Sequence, residues 1–315
     1  MDSNRPHVCV LGGANVDVQG FPTGPLKMRD SNPGRVHTAM GGVGRNIAEN
    51  LVRLGVPTRF VSVVGDDANG RRMREEAAAL GMDTDHVMVL PDAQTSTYLS
   101  VLDETGDMLV AINQMDICER LTIPLVDQAM DALRNAALCV MDTNFPEPVL
   151  THVIDTLHPT VPLYLDPVSA AKAQRIRTRI GCFHTVKPNR LEAEVLSGLP
   201  IPRQGGPEQD EALRLVAAWF HGQGVKQLFL SLGAAGTFCS TPEGQWHLPA
   251  PTCRVVAATG AGDAFMATLA MGHFRGMDIR KTAQMATIAA ALALSHPETI
   301  NPALSLDRLM REDNP

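Results

Sequence analysis

The sequence has no basic excess, no Cys-x-x-Cys spacing, no internal repeat, no low-complexity tract and no long apolar run. Each absence excludes something. With 27 Lys+Arg against 34 Asp+Glu the formal net charge is -7, and no nucleic-acid partner is expected, because a phosphate backbone is held by clustered cations. An anionic small molecule would need positive potential collected locally, from backbone dipoles or a metal. Cys9, Cys118, Cys139, Cys182, Cys239 and Cys253 stand singly, several of them in apolar surroundings. They read as buried free thiols of a reducing compartment, not as a disulfide framework or a zinc site. The longest apolar stretch, near 286–294, falls short of the roughly 20 residues that a membrane-spanning helix needs, so no membrane is expected as a partner. Residues 1–7 are polar and lead straight into a strand-like run, so no signal peptide and a cytoplasmic location are expected.

Hydrophobic residues make up 44% of the 315 positions, enough for a sizeable core. Short β-like runs alternate with helical patterns. The strand candidates are 8–11, 60–64, 138–141, 164–165, 185–186 and 228–232. Helical spacing covers 47–54, 71–80, 147–157, 191–196, 208–221 and 282–294. This alternation predicts an α/β fold of three layers around a mostly parallel sheet. Two stretches, about 16–38 and 97–112, carry short alternating runs and turn residues but no helix. The second reads as a hairpin turning at Glu104-Thr105-Gly106-Asp107. Together they predict a small β-sheet lid on one domain spanning 1–315, and a lid suits group transfer because it keeps water away. The Pro/Gly-rich stretch 200–207 reads as a surface loop.

Five motifs carry chemistry. In Thr259-Gly260-Ala261-Gly262-Asp263-Ala264-Phe265, small residues precede a helical pattern starting near Ala264. Their backbone N–H groups can close on an anion at a helix N-terminus. Asp263 is then placed to take a proton from an attacking hydroxyl, although an Asp after a glycine turn is also an ordinary N-cap. Met40-Gly41-Gly42-Val43-Gly44-Arg45-Asn46 opens another helix; Gly42 would let a ligand approach the backbone, and Asn46 could bind a sugar hydroxyl. In Gly13-Ala14-Asn15-Val16-Asp17, at the end of the first strand, Asn15 and Asp17 suit a vicinal diol, or simply an Asx turn. In Lys187-Pro188-Asn189-Arg190-Leu191-Glu192, the spacing of Asn189 and Glu192 puts them on one face of a helix start. There they could hold the waters of Mg²⁺, or form a capping box. Leu230-Ser231-Leu232-Gly233-Ala234-Ala235-Gly236 reads as a strand ending in a glycine turn that could cradle nucleotide phosphates, or as an ordinary turn.

The order and spacing of these motifs are more specific than any one of them, and from Val8 to about Leu294 the chain resembles the ribokinase-like, or PfkB-type, carbohydrate kinases. The elements at 41–46 and 259–263 resemble the two family signatures, Asn189 and Glu192 the metal motif, and 231–236 the nucleotide loop. The resemblance implies the ribokinase-like fold, ATP and Mg²⁺ as cofactors, and a small-molecule acceptor. It also implies Asp263 as base, with Gly260, Ala261 and Gly262 forming the anion hole. Ser231, Gly233, Gly236 and Asn189 would face the nucleotide, and Asn15, Asp17, Gly42 and Asn46 the acceptor. Asp30-Ser31-Asn32-Pro33-Gly34, Tyr98-Leu99-Ser100-Val101-Leu102-Asp103 and Met108-Leu109-Val110-Ala111-Ile112-Asn113 extend the resemblance toward the branch that phosphorylates pseudouridine. These add Ser31 as a base or ribose contact and Lys172 as a further ligand-facing candidate, against its reading as a solvated helix lysine. Relatives often dimerise through the lid, so a homodimer is a further expectation.

One position departs from the family. Many members carry an Asp six residues before the catalytic one, beside a monovalent-cation site; here Ala257 stands there, which puts K⁺ dependence in doubt. Other acceptors, such as ribose, inosine or adenosine, stay open. Two other classes compete. A dinucleotide-binding oxidoreductase would need glycine at position 14, which is Ala14. A non-catalytic sugar or nucleoside sensor is possible on the same fold, and the intact Asp263 loop argues against it.

Overall fold

Alternate residues of the buried strands feed two separate apolar layers. Cys9, Leu11, Cys139 and Met141 enter one core, while Val8, Val10, Leu138 and Val140 enter the other. A strand buried on both faces needs helices on both faces, and the computed structural model, which describes residues 5–250, 253–256 and 259–313, shows them. Helices Glu147–Leu157 and Pro207–Gln223 pack on the first core. Helices Val43–Arg53, Ala261–Phe274 and Ile279–Leu294 pack on the second.

The strands in chain order are β1 (Val8–Leu11), β2 (Asn15–Pro22), β3 (Gly34–Gly41), β4 (Thr58–Gly65), β5 (Val87–Leu90), β6 (Thr97–Leu102) and β7 (Met108–Gln114). They continue as β8 (Leu138–Asp142), β9 (Leu163–Asp166), β10 (Thr185–Val186), β11 (Gln227–Ser231), β12 (Thr237–Thr241) and β13 (Gly244–Leu248). Nine form the central sheet, in the order β13-β12-β11-β10-β9-β8-β1-β4-β5. Neighbours from β11 through β5 run parallel, and β12 and β13 add an antiparallel edge. The carboxyl ends of the parallel strands therefore open on one rim of the sheet, where ligands of such folds bind.

The two helix-free stretches form a second, four-stranded sheet, β3-β2-β6-β7. Its strands run further than the expected 16–38 and 97–112, because β3 continues to Gly41 and β7 to Gln114. The expected hairpin turn is present, with the Asp103 carboxylate accepting from the Thr105 and Asp107 amides. Helices Ala68–Ala79 and Ile279–Leu294 start earlier than their apolar spacing indicates, because a side-chain cap and not the first apolar residue sets the start. Asp67 accepts from the Gly70 amide ahead of Ala68–Ala79, and Asp278 from the Lys281 amide ahead of Ile279–Leu294. Among the described residues no helix is long and apolar enough to cross a membrane.

Candidate active site

At the rim, β1 leads into Gly12 and Gly13, which lie against the start of helix Val43–Arg53. The approach is so close that a Cβ on Gly12 would stand 2.7 Å from the Gly44 Cα. One carboxylate joins the two segments. Asp142, at the end of β8, accepts from the Gly13 and Gly44 amides at 2.8 and 2.9 Å, and its other oxygen accepts from the Asn144 amide at 2.9 Å. Gly42 sits at φ 101°, where a side chain would be strained, and its missing Cβ leaves room for the Gly13 carbonyl.

The second sheet joins the body at this point. Asn15 and Asp17 open β2, and Asn15 Nδ2 donates to Asp17 Oδ1 at 2.6 Å. A side chain at position 41 would collide with the Asp17 carboxylate, so Gly41 makes space for it. Burial pushes the Asp17 carboxyl above its ordinary range, against the pull of the Asn15 bond and the Arg45 charge.

Asn46 reaches across to the last segment of the chain, and its Nδ2 donates to Asp263 Oδ2 at 2.9 Å. Its Oδ1 is buried with no partner, an acceptor left for a ligand hydroxyl. Helix Ala261–Phe274 begins earlier than the expected Ala264. Its cap is Gly260 at φ 83°, and a Cβ there would strike the Thr299 carbonyl. Asp263 is thus the third residue of the first turn, not the N-cap, in a turn whose N–H groups have no partner within the helix. Burial first, and then the neighbouring Asp166 charge, raise Asp263 to about 7, while Asn46 and Lys187 hold it down.

Asp166 closes β9 and pairs in register with Asp142. Lys187, just past β10, holds Asp166 Oδ2 at 3.1 Å. Its Nζ lies 2.9 Å from where a Cβ on Gly262 would be. Asn189 and Glu192 form the reciprocal capping box of helix Arg190–Ser197: Glu192 Oε2 accepts from the Asn189 amide at 2.8 Å, and Asn189 Oδ1 from the Glu192 amide at 3.0 Å. Burial, then Asp166, raise Glu192 to about 7. Buried carboxylates with this little neutralisation form a hard-oxygen environment that suits a divalent cation. Among the described residues no cluster of three or more metal-binding side chains forms a cage. The side-chain oxygens of Asn189 and Glu192 fit Mg²⁺, a hard cation that takes oxygen ligands and keeps several of its waters.

Ser231 ends β11 and bridges to Asn189, Gly233 opens a short turn with free space around its Cα, and Gly236 turns the chain into β12 beside the Leu248 carbonyl. Asn189, Ser231 and Gly233 are thereby neighbours on one rim. One candidate stands apart, and another is joined to the site through Asn144. Ser31 lies on the exposed turn between β2 and β3, its amide bonded to Asp30, and touches none of the others. Lys172 is half-buried, not solvated: its Nζ donates to Asn144 Oδ1 at 2.6 Å, and Asn144 packs over Gly13. Ala257 lies outside the described residues. Sequence reasoning misses Asp142, Asn144 and the reach of Lys187 as site features. The available signal is an acid ending a buried strand, in Met141-Asp142 and again in Leu165-Asp166.

A glycine-capped helix start and a buried carboxylate thus meet on the rim of a parallel sheet, beside the second, four-stranded sheet. The chain belongs to the pfkB family of carbohydrate kinases, whose family model matches residues 5–306. It is a phosphotransferase of the class that uses ATP and Mg²⁺ on small-molecule acceptors. Among individual proteins it is similar to the pseudouridine kinase of Escherichia coli (strain K12), with 40% identity over 304 residues, 96% of this chain and 95% of that one. Among solved structures, a carbohydrate kinase from Agrobacterium tumefaciens superposes with a TM-score of 0.85 at 26% identity, covering 98% and 97% of the two chains. The Arabidopsis thaliana ribokinase complexed with ribose and ATP superposes at 0.83 with 23% identity, covering 98% and 99%, and bears on the fold alone.

Proposed function

We propose that this protein transfers the γ-phosphoryl group of ATP to the 5′-hydroxyl of pseudouridine, giving pseudouridine 5′-phosphate and ADP. The observation that carries the acceptor is the near full-length likeness to a pseudouridine kinase. The ribosyl group lies between Asn15, Asp17, Gly42 and Asn46, with Ser31 and Lys172 as outer contacts once the lid closes. ATP lies over Ser231, Gly233 and Gly236. Asn189 and Glu192 would hold Mg²⁺ through its waters, and the ion would offset charge on the phosphates.

The 5′-oxygen attacks the γ-phosphorus as the bond to the β,γ-bridging oxygen breaks, and Asp263 takes the hydroxyl proton. The amides of Gly260, Ala261 and Gly262 receive the equatorial oxygens. Little covalent chemistry is asked of the protein, so positioning and electrostatics supply most of the rate. Asp263, buried beside the glycine-capped helix start, supports a catalytic reading over that of a sensor. Initial rates of ADP formation with pseudouridine, uridine, ribose, inosine and adenosine test the reading. Pseudouridine should give the highest kcat/KM, and a preference for ribose would transfer the assignment to a sugar kinase.

Asp17→Ala should weaken acceptor binding by about 1.5–3 kcal/mol, the value of a hydrogen bond to a charged group. The diagnostic comparison is ribosyl against 2′-deoxyribosyl acceptor in both proteins. Equal discrimination would remove Asp17 from the diol.

A second copy of the chain is the proposed partner. In the register of the lid sheet, Val36, Val110 and Ile112 fall on one face and are 74, 53 and 63% exposed. A contiguous apolar strip of this kind marks an interaction surface. Sedimentation should show a dimer, and Ile112→Lys should give monomers; a monomeric parent protein would exclude the interface.

A further inference from the structure

We propose that His37 and Glu298 are positioning residues of the phosphoryl transfer: their contact holds the second sheet closed over the acceptor and ties that closure to the turn at Gly260. The proposal rests on the kinase reading above but not on the identity of the acceptor.

In β3, Ala39 pairs in register with Asp17, and His37 lies two residues away on the same strand. Side chains two apart on a strand share a face. His37 is therefore on the face that carries Asp17, and Val36 is on the other. From there it meets a carboxylate 261 residues further along the chain. His37 Nε2 lies 3.0 Å from both Oε1 and Oε2 of Glu298, and its N–H donates to them. The other hydrogen bonds that join the second sheet to the body, among the described residues, lie at strand ends, at Val16, Met40, Thr97 and Gln114. The His37 contact alone spans the cleft away from those ends.

Glu298 belongs to the segment that follows helix Ile279–Leu294, and that segment is tied to the site. The Glu298 amide donates to His296 Nδ1 at 3.1 Å, and Asn301 Nδ2 donates back to the Leu292 carbonyl at 2.8 Å. The next residue, Thr299, sets its carbonyl against Gly260, the cap of helix Ala261–Phe274. Contacts thus run from the strand beside Asp17, through Glu298, to the turn that would receive the phosphoryl oxygens. His37 and Glu298 are 44 and 40% exposed. A pair so exposed contributes little to stability. That weakness suits a contact that breaks and re-forms in every turnover, as a lid admits substrate and releases product.

The test is a double-mutant cycle of His37→Ala, Glu298→Ala and the two together, with a charge swap beside it. The acceptor is whichever compound the parent turns over best. Each alanine variant should raise the acceptor KM by about 2–5-fold, the value of an exposed pair, with kcat within about twofold. At subsaturating acceptor, more than one ADP should form per acceptor phosphorylated, because a loosened lid admits water. The double alanine variant should be no worse than either single one, since both remove the same contact. His37→Glu should raise KM by about 10-fold, because repulsion adds to the lost attraction, and adding Glu298→Lys should return it to within about twofold of the parent. Melting temperatures should not move, since neither side chain is in the core. Additive alanine effects, a swap that leaves KM high, or a fall in kcat with KM unchanged would overturn the proposal while the kinase reading stands. A parent protein that phosphorylates no acceptor would overturn both.

Discussion

Asp263→Asn is expected to be nearly inactive and yet more stable than the parent protein at neutral and alkaline pH. Loss of a general base costs about 10²–10⁴-fold in kcat, while acceptor binding should be retained because the substituted amide still offers an oxygen to Asn46. The stability gain follows from the direction of the pKa shift. Asp263 is raised from 3.8 to about 7, so the folded protein holds a proton that the unfolded chain has released between those values. Stability is therefore full below about 3.8, declines as pH rises, and reaches its lower plateau above about 7. Asparagine does not ionise and escapes that decline. Thermal melting of the two proteins should coincide near pH 4 and separate progressively toward pH 8. The same group sets the acid limb of the pH–rate profile at about 7 in the free enzyme. A variant with near-parental kcat, or one that melts lower at pH 8, would remove Asp263 as the buried base.

Asp142→Ala is expected to have the largest effect on the scaffold. Its carboxylate accepts from the amides of Gly13, Gly44 and Asn144, all in buried backbone. Leaving one buried donor without a partner costs about 1–3 kcal/mol, so the loss should exceed about 2 kcal/mol in urea denaturation. The acceptor KM should rise as well, because the Gly13 and Gly44 segments would part and take Asn15 and Asn46 with them. Asparagine at 142 keeps one good acceptor and should fall between. An alanine variant within about 0.5 kcal/mol of the parent would mean the two glycine segments need no common anchor.

Much of the site is legible in the sequence because its motifs are local. The run from Thr259 to Asp263 announces a helix start, and the capping box of Asn189 and Glu192 is present as its spacing implies. What the sequence does not convey is what the sheet order brings together. Asn46 and Asp263 are 217 residues apart and meet only because their helices pack as neighbours on one face of the sheet. The reach of Lys187 to Gly262, and the span of Asp142 from β8 to β1, depend on the adjacency of β10, β9, β8 and β1, which no periodicity encodes. The exact first residue of helix Ala261–Phe274, three before the expected Ala264, escapes sequence reasoning because Gly260 caps it in a left-handed conformation, without a side-chain signal. Ser31 is close to the other candidates in sequence, yet the β2–β3 turn carries it to the exposed end of the lid.

The most direct measurement is identification of the product by ³¹P–¹H correlation NMR after incubating the purified protein with MgATP and an equimolar mixture of pseudouridine, uridine and ribose. The account predicts one new phosphomonoester, coupled to the 5′-methylene protons of pseudouridine, with uridine and ribose unchanged while ADP accumulates. Phosphate on another hydroxyl, preferential consumption of ribose or uridine, or ADP formation unaffected by any acceptor would contradict it.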